Sequence, residues 1–262
     1  MSAKVWLVGA GPGDPELLTL KAVRALKEAD VVMIDDLVNA AVLEHCPDAR
    51  IIRVGKRGGC RSTPQAFIHR LMLRYARHGK CVVRLKGGDP CIFGRGGEEA
   101  QWLRERGVVV ELVNGITAGL AGATQCDIPL TLRGVARGVT LVTAHTQDDS
   151  HVNWQALAQS GTTLVVYMGV AKLNEIREQL MAGGMPSDMP VAMIENASLP
   201  HQRECRSHLA AMDSDAEAFQ LKSPAILVIG RVVAAAAASH ESQGPSALVA
   251  ACGSGYRIPP NP

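Results

Sequence analysis

The chain has 262 residues, a formal net charge of +2 and 47% hydrophobic residues. That length admits one large or two modest domains, and the near-neutral charge excludes a general polyanion binder, so no nucleic-acid partner is expected. Seven cysteines with no paired C-x-x-C spacing argue against zinc and against a disulfide framework, and no apolar run approaches the roughly 18 to 20 residues of a membrane span.

In chain order, Val5–Val8 reads as a short apolar strand and Gly9–Asp14 as the turn after it. A strand so near the N-terminus leaves no room for a signal peptide, so a cytoplasmic location with no membrane partner is expected. Pro15–Ala29 reads as one helix, with Asp14 as N-cap and Pro15 at the first position. Leu18, Ala22, Ala25, Leu26 and Ala29 fall on one face of it. Strands follow at Val31–Ile34 and Ile51–Val54. Around the second, Arg50, Arg53, Lys56, Arg57 and Arg61 crowd against a single acid, Asp48. A helix from Thr63 to about His78 leads to strands near Cys81–Leu85 and Val108–Leu112, with a helix over Glu98–Arg106 between them. Short strands alternating with helices imply an open, mostly parallel sheet. Asn114–Gly119 breaks the pattern. A second set has strands at Val139–Thr143, Thr163–Tyr167, Val191–Glu195 and Ala225–Ile229, with a helix over Leu173–Met181.

The expectation is therefore two α/β domains, 1–113 and 114–235, with a ligand cleft between them. Residues 236–262, rich in Gly, Ser, Pro and Ala, are expected to be a disordered tail.

The segment Arg84-Leu-Lys-Gly-Gly-Asp-Pro-Cys-Ile-Phe-Gly-Arg-Gly-Gly-Glu-Glu99 carries most of the functional signal. Dense glycine at the carboxyl end of a strand lets a ligand approach bare backbone. Arg84, Lys86 and Arg95 add positive charge beside it. The earlier turn, Gly9-x-Gly11-x-Gly13, invites a dinucleotide reading with Asp35 on the ribose. Pro12 removes a backbone donor that a pyrophosphate would use, and Asp14 places negative charge where phosphates would lie. A tight turn with no ligand is the plainer alternative. His145, Asp148, Asp149 and His151 cluster without a firm metal-ligand spacing, so no metal is expected.

Taken together, the segments resemble the tetrapyrrole methylase family. The resemblance rests on Val8-Gly-Ala-Gly-Pro-Gly-Asp-Pro-Glu-Leu-Leu-Thr-Leu20, Asp35-Asp-Leu-Val38, Gly55-Lys-Arg57 and Arg84–Glu99. Gly115-Ile-Thr-Ala118, Ile128-Pro-Leu-Thr131, Tyr167-Met-Gly169 and Ser223-Pro-Ala225 complete the series. It implies an S-adenosylmethionine-dependent C-methyltransferase, leaving S-adenosylhomocysteine. Its uroporphyrinogen branch methylates uroporphyrinogen III at C-2 and C-7, giving precorrin-2 through precorrin-1, for cobalamin, sirohaem or haem d1. A homodimer is implied as well.

By resemblance Pro12, Gly87, Gly88, Asp89 and Ile92 line the donor pocket, together with Thr117, Ala118, Met168, Ala197 and Ala225. Each also has a plainer role: Asp89 as a turn residue, Thr117 as a helix cap, Met168 as core filler. Asp35 resembles a proton acceptor and Lys56 a proton donor. Arg95 is expected to hold the acceptor while its ring meets the methyl, with Arg57, Glu98 and Arg133 also on the substrate. Glu98 is equally explained as a favourable charge at a helix N-terminus. Arg61 and Arg137 are weaker candidates. Asn114, Leu132, Ala144, Ile34 and Cys91 depart from the family pattern. A methylase of a later precorrin, a protein methylase and a non-catalytic nucleotide sensor are the alternatives.

Overall fold

The computed structural model describes residues 4–55, 63–145 and 152–235; the tail at 236–262 lies outside the described residues. The first sheet contains β1 (Lys4–Gly9), β2 (Val31–Ile34), β3 (Arg50–Arg53), β4 (Cys81–Lys86) and β5 (Val109–Val113). Its order is β3-β2-β4-β1-β5 and every pairing is parallel. Alternation along the strands sorts the side chains onto two faces. Trp6, Val8, Val32, Ile34, Val83 and Leu85 pack under α1 (Leu20–Lys27). Val5, Leu7, Val31, Met33 and Val82 pack under α2 (Gln65–Arg77) and α3 (Gly96–Arg104). Helices on both faces explain why these strands read as unbroken apolar runs.

The expected helix over Pro15–Ala29 is two pieces. A short 3-10 turn, Pro15–Leu17, is capped by Asp14, whose carboxylate accepts from Glu16 N at 2.9 Å. Leu18 is extended, and α1 starts afresh after Thr19. The Thr19 hydroxyl accepts from Ala22 N at 3.2 Å and donates to Asn114 O at 3.3 Å. A second cap inside an otherwise helical sequence, tied to the exit of β5, is what divides it.

The second sheet contains β6 (Val139–Thr143), β7 (Thr163–Tyr167), β8 (Pro190–Glu195), β9 (Arg203–His208) and β10 (Ala225–Ile229), in the order β6-β7-β10-β8-β9. β6 and β7 are parallel; β10 is antiparallel to both β7 and β8, and β9 to β8. α4 (Ala118–Gln125) covers one face. α5 (Trp154–Gln159), α6 (Leu173–Ala182) and α7 (Met212–Phe219) cover the other. β9 reads Arg-Glu-Cys-Arg-Ser-His and carries no strand signal, because as an edge strand it turns only Cys205 and Ser207 inward; Arg203 pairs with Glu195 of β8 at 2.7 Å.

Where β4, β1 and β5 end side by side, three glycines touch backbone to backbone. A Cβ on Gly9 would sit 2.5 Å from Gly115 N and 2.6 Å from Gly88 O, and one on Gly115 would overlap Gly88 O. No flexible side chain is there to yield. Gly115→Ala is therefore expected to cost at least the 1–3 kcal/mol or so of an overpacked core, read as a lower denaturation midpoint. Gly97→Ala, inside α3 with open space around its Cβ position, should be neutral or stabilising by about 0.5–1 kcal/mol. Equal midpoints for Gly115→Ala and wild type would refute the contact.

Candidate functional site

All five strands of the first sheet point their carboxyl ends at one edge, and ligands of such sheets bind there. Gly11 and Gly88 form an antiparallel bridge across that edge, with Gly11 N donating to Gly88 O at 3.2 Å and Gly88 N to Gly11 O at 2.7 Å. Asp89 is buried. Its Oδ1 accepts from Cys91 N at 2.7 Å; its Oδ2 accepts from Gly115 N at 3.1 Å and faces Asn114 Nδ2 at 3.4 Å. The Asp89 carboxylate thus pins the β4 loop to the β5 loop. Asn114, one of the departures from the family pattern, is part of that clamp.

The second sheet meets this edge with its own loops. A Cβ on Gly88 would lie 3.7 Å from Thr117 Cα and 4.0 Å from Ala118 N, at the first turn of α4. Thr117 makes no side-chain cap to its helix. The Tyr167 hydroxyl does that work from the end of β7, accepting from Gly119 N at 3.0 Å and sharing a hydrogen bond with Thr117 Oγ1 at 2.8 Å. Burial pushes the Tyr167 phenol above its ordinary 10.0. Phe93 stacks on its ring at 4.9 Å. Met168 follows Tyr167, Ala197 follows β8, and Ala225 opens β10; because β10 runs antiparallel, all three lie at the same edge.

Besides the Phe93–Tyr167 ring contact, further contacts among the described residues tie the two sheets' sides of this cleft together. Asp14 N donates to Ser198 Oγ at 3.0 Å. Gly13 faces Leu199, leaving no room for a Cβ. Ile92, like Leu130 and Leu132, packs against the buried core on the α4 face of the second sheet. Five non-glycine residues around the cleft hold left-handed backbone: Phe93, Arg95, Met168, Asn196 and Ser198.

Below the β2–β4 end of the edge lies a buried set of charges. Arg84 and Lys86, read from sequence as cations beside the loop, instead turn under α2 and α3 and are buried. The cause is parity: they share the face of Val82. Arg84 Nη2 reaches Asp35 Oδ2 at 3.2 Å, and Arg84 Nη1 donates to Met33 O at 3.3 Å and Leu85 O at 3.2 Å. Glu99, 0% exposed, takes Gln65 Nε2 at 2.6 Å and Lys86 Nζ at 3.3 Å on Oε1. Burial, and after it the Arg84 charge, press the Lys86 ammonium below its ordinary 10.5. His69 stands 3.1 Å from Gln65 Nε2 and against Trp102.

Asp35, just past β2, is partly exposed at this edge. Its Oδ1 is buried without a hydrogen-bond partner among the described residues. Arg95 and Glu98 pair on the exposed rim, Nη2 to Oε2 at 2.6 Å and Nε to Oε2 at 3.1 Å. That pairing pulls the Glu98 carboxyl below its ordinary 4.5. Arg133 and Arg137 are exposed between α4 and β6. Lys56, Arg57 and Arg61 lie outside the described residues, as do Asp148, Asp149 and His151. The structure thus brings Pro12, Gly87, Gly88, Asp89, Thr117 and Ala118 to one edge, with Met168, Ala197 and Ala225 opposite. Sequence reasoning missed Glu99, the Tyr167 hydroxyl and Ser198; only Glu99 had a local signal, as an acid on the inner face of the helix beside two strand cations.

The tetrapyrrole (corrin/porphyrin) methylase family profile matches residues 4–213. A uroporphyrinogen-III C-methyltransferase of Pseudomonas fluorescens is 76% identical over 94% of this chain and 100% of its own length. One from Pseudomonas aeruginosa is 75% identical over 88% of this chain and 95% of its own length. The crystal structure of a uroporphyrin-III C-methyl transferase from Thermus thermophilus, complexed with S-adenyl homocysteine, superposes with a TM-score of 0.76. It has 43% identity over 88% of this chain and 99% of that one.

Two measurements test the geometry. Tyr167→Phe leaves Gly119 N buried and unpaired, so it should cost about 1–3 kcal/mol in chemical denaturation; a loss near zero would show that the hydroxyl is dispensable. Burial, opposed by the Glu99 charge, holds the His69 imidazole below its ordinary 6.5. Above that pH both folded and unfolded chains carry it neutral, and it adds no pH dependence. Below it the unfolded chain takes the proton first, so stability falls with pH until the folded-state value is passed. His69→Gln should flatten that part of the stability profile, and an unaltered slope would reject the assignment.

Proposed function

The chain belongs to the tetrapyrrole methylase family, and we propose that its cleft transfers methyl groups from S-adenosylmethionine to uroporphyrinogen III. The observation that carries this reading is the glycine edge itself. Gly88 presents bare backbone opposite the first turn of α4, and Ile92, Ala118, Met168, Ala197 and Ala225 offer a largely apolar wall. Such a surface suits a nucleoside with a small polar tail. Among the described residues it offers no cluster of buried cations facing the cleft, as a pyrophosphate would want, because Arg84 and Lys86 are engaged with Glu99 and Asp35.

The donor supplies a methyl on a sulfonium that leaves readily as a thioether, so the protein's part is alignment and exclusion of water. A ring carbon of the porphyrinogen attacks the methyl, the sulfur keeps the electron pair of the broken bond, and the electron-poor ring then sheds a proton. The Asp35 carboxylate is the acceptor for that proton: it is held by Arg84, its Oδ1 has no hydrogen-bond partner among the described residues, and its side chain is partly exposed at the edge. Lys56 is proposed as the proton donor. The acceptor carries eight carboxylates; Arg95 and Arg133, exposed on the described surface, are proposed to bind them, with Arg57 added on the family resemblance alone, because a planar guanidinium fork binds a carboxylate through two hydrogen bonds. Glu98 holds Arg95 until the substrate arrives. The methylated positions are C-2 and C-7, and the product is precorrin-2. Leu20 and Leu120, exposed on the first turns of α1 and α4, offer apolar surface to a second copy in a homodimer. No helix among the described residues is long and apolar enough to cross a membrane.

The reading is tested by mixing the protein, S-adenosylmethionine and freshly reduced uroporphyrinogen III without oxygen and following the absorbance of the methylated product. No methyl transfer would overturn it. Asp35→Asn should lower turnover by about 10²–10⁴-fold, the range for a lost general base, with S-adenosylhomocysteine affinity unchanged. Arg95→Lys keeps the charge and loses the fork; turnover should fall roughly tenfold to a hundredfold, the equivalent of about 1.5–3 kcal/mol. Equal loss of donor affinity in that variant would make Arg95 structural.

A further inference from the structure

Glu99 lies outside the cleft, yet it fixes the group proposed to act there. We propose that Glu99 is a positioning residue for Asp35, acting through Arg84. The inference rests on the reading of Asp35 as the proton acceptor.

The connection is continuous. Glu99 Oε1 faces Arg84 Nε at 3.7 Å and Lys86 Nζ at 3.3 Å, while the other end of the same guanidinium meets Asp35 Oδ2 at 3.2 Å. Arg84 Nη1 is tied to Met33 O and Leu85 O on two neighbouring strands. A planar guanidinium held at that many points has one orientation. Asp35 therefore has one carboxylate oxygen engaged and the other, Oδ1, without a hydrogen bond among the described residues.

Charge balance makes Glu99 necessary. Arg84 and Lys86 are both buried cations, and a buried charge is tolerable only when paired. With Glu99 present, two cations face two anions. Without it, Asp35 is the one carboxylate left in contact with the pair among the described residues and is drawn inward from the edge. Glu99 Oε2 and Arg84 Nε also lack hydrogen bonds among the described residues. The set is thus held in place by the packing of α2 and α3 rather than by complete hydrogen bonding. The groups that bear on Asp35 are Asp36 beside it, Arg84 and Lys86 from β4, Glu99 from α3 and, through Gln65, His69 from α2.

The test uses the full chain with Glu99→Gln, Glu99→Asp, Arg84→Lys and Asp35→Asn. Glu99→Gln should lower kcat about ten- to hundredfold, the scale of a misplaced catalytic group, with KM for uroporphyrinogen III and S-adenosylhomocysteine affinity near wild type. Glu99→Asp, which keeps the charge, should restore part of the turnover. A folded Glu99→Gln protein with wild-type kcat overturns the inference, as does equal loss of kcat and donor affinity. Should Glu99→Gln fail to fold, Arg84→Lys carries the test: a fall in kcat at constant donor affinity supports it, and wild-type kcat overturns it. Wild-type turnover in Asp35→Asn would overturn the reading of Asp35 itself, and this inference with it. Loss there, with normal behaviour in Glu99→Gln, overturns the inference alone.

Discussion

The cleft depends on one steric condition: Gly9 and Gly115 must have no side chains, because a Cβ on either would run into the other's backbone and into Gly88 O. Gly9 ends β1, Gly88 and Gly115 follow closely on the adjacent strands β4 and β5, and the three backbones lie in direct contact. Everything on the first domain's side of the site follows. The β1 and β4 loops approach closely enough to form the Gly11–Gly88 bridge. The Asp89 carboxylate then reaches Gly115 N and holds the third loop. α4 can start immediately beyond Thr117, close enough to Gly88 for their backbones to face each other. A single methyl in that knot would separate the strand ends and move every loop that lines the site.

The second domain is fastened to this knot by contacts that are few and specific. Ser198 accepts from Asp14 N, Leu199 packs on Gly13, and Ile92 leaves its own loop to join the opposite core. These lie at different points along the cleft, so the separation of the two sheets is set by side-chain size. The Tyr167 hydroxyl makes a link of a different kind, within the second sheet's side of the cleft. It belongs to β7, and it satisfies the first turn of the helix that follows the interdomain crossing. Secondary structure and domain docking are therefore coupled here: loosening β7 would leave α4 uncapped.

Much of this was legible because local patterns matched the final environment. Runs such as Val31–Ile34 and Ala225–Ile229 are buried on both faces and look it. The glycine loops announced close approach before any partner was known. What escaped reading was non-local. Thr19 is one residue inside an apparent helix, and only its bond to Asn114 O, far along the chain, shows why it begins a new one. β9 is polar because it is an edge. Arg84 and Lys86 were visible as charges on a strand, but their direction depended on register, and their partner Glu99 on how α3 lies across β4. Tyr167 looks like any core aromatic until α4 is placed over it.

The left-handed residues at the rim carry a further consequence. Phe93, Arg95, Met168, Asn196 and Ser198 all adopt a backbone that glycine would adopt without penalty. Left-handed conformation sets an L-residue back by roughly 1–2 kcal/mol, against a net stability of about 5–15 kcal/mol for a typical domain. A screen for heat resistance alone would thus tend to collect glycine at these positions. Each such gain would delete a side chain that faces or braces the cleft. Thermal selection and catalytic selection would pull the same rim in opposite directions, so variants of this enzyme hardened without an activity filter should lose their acceptor site before they lose their fold.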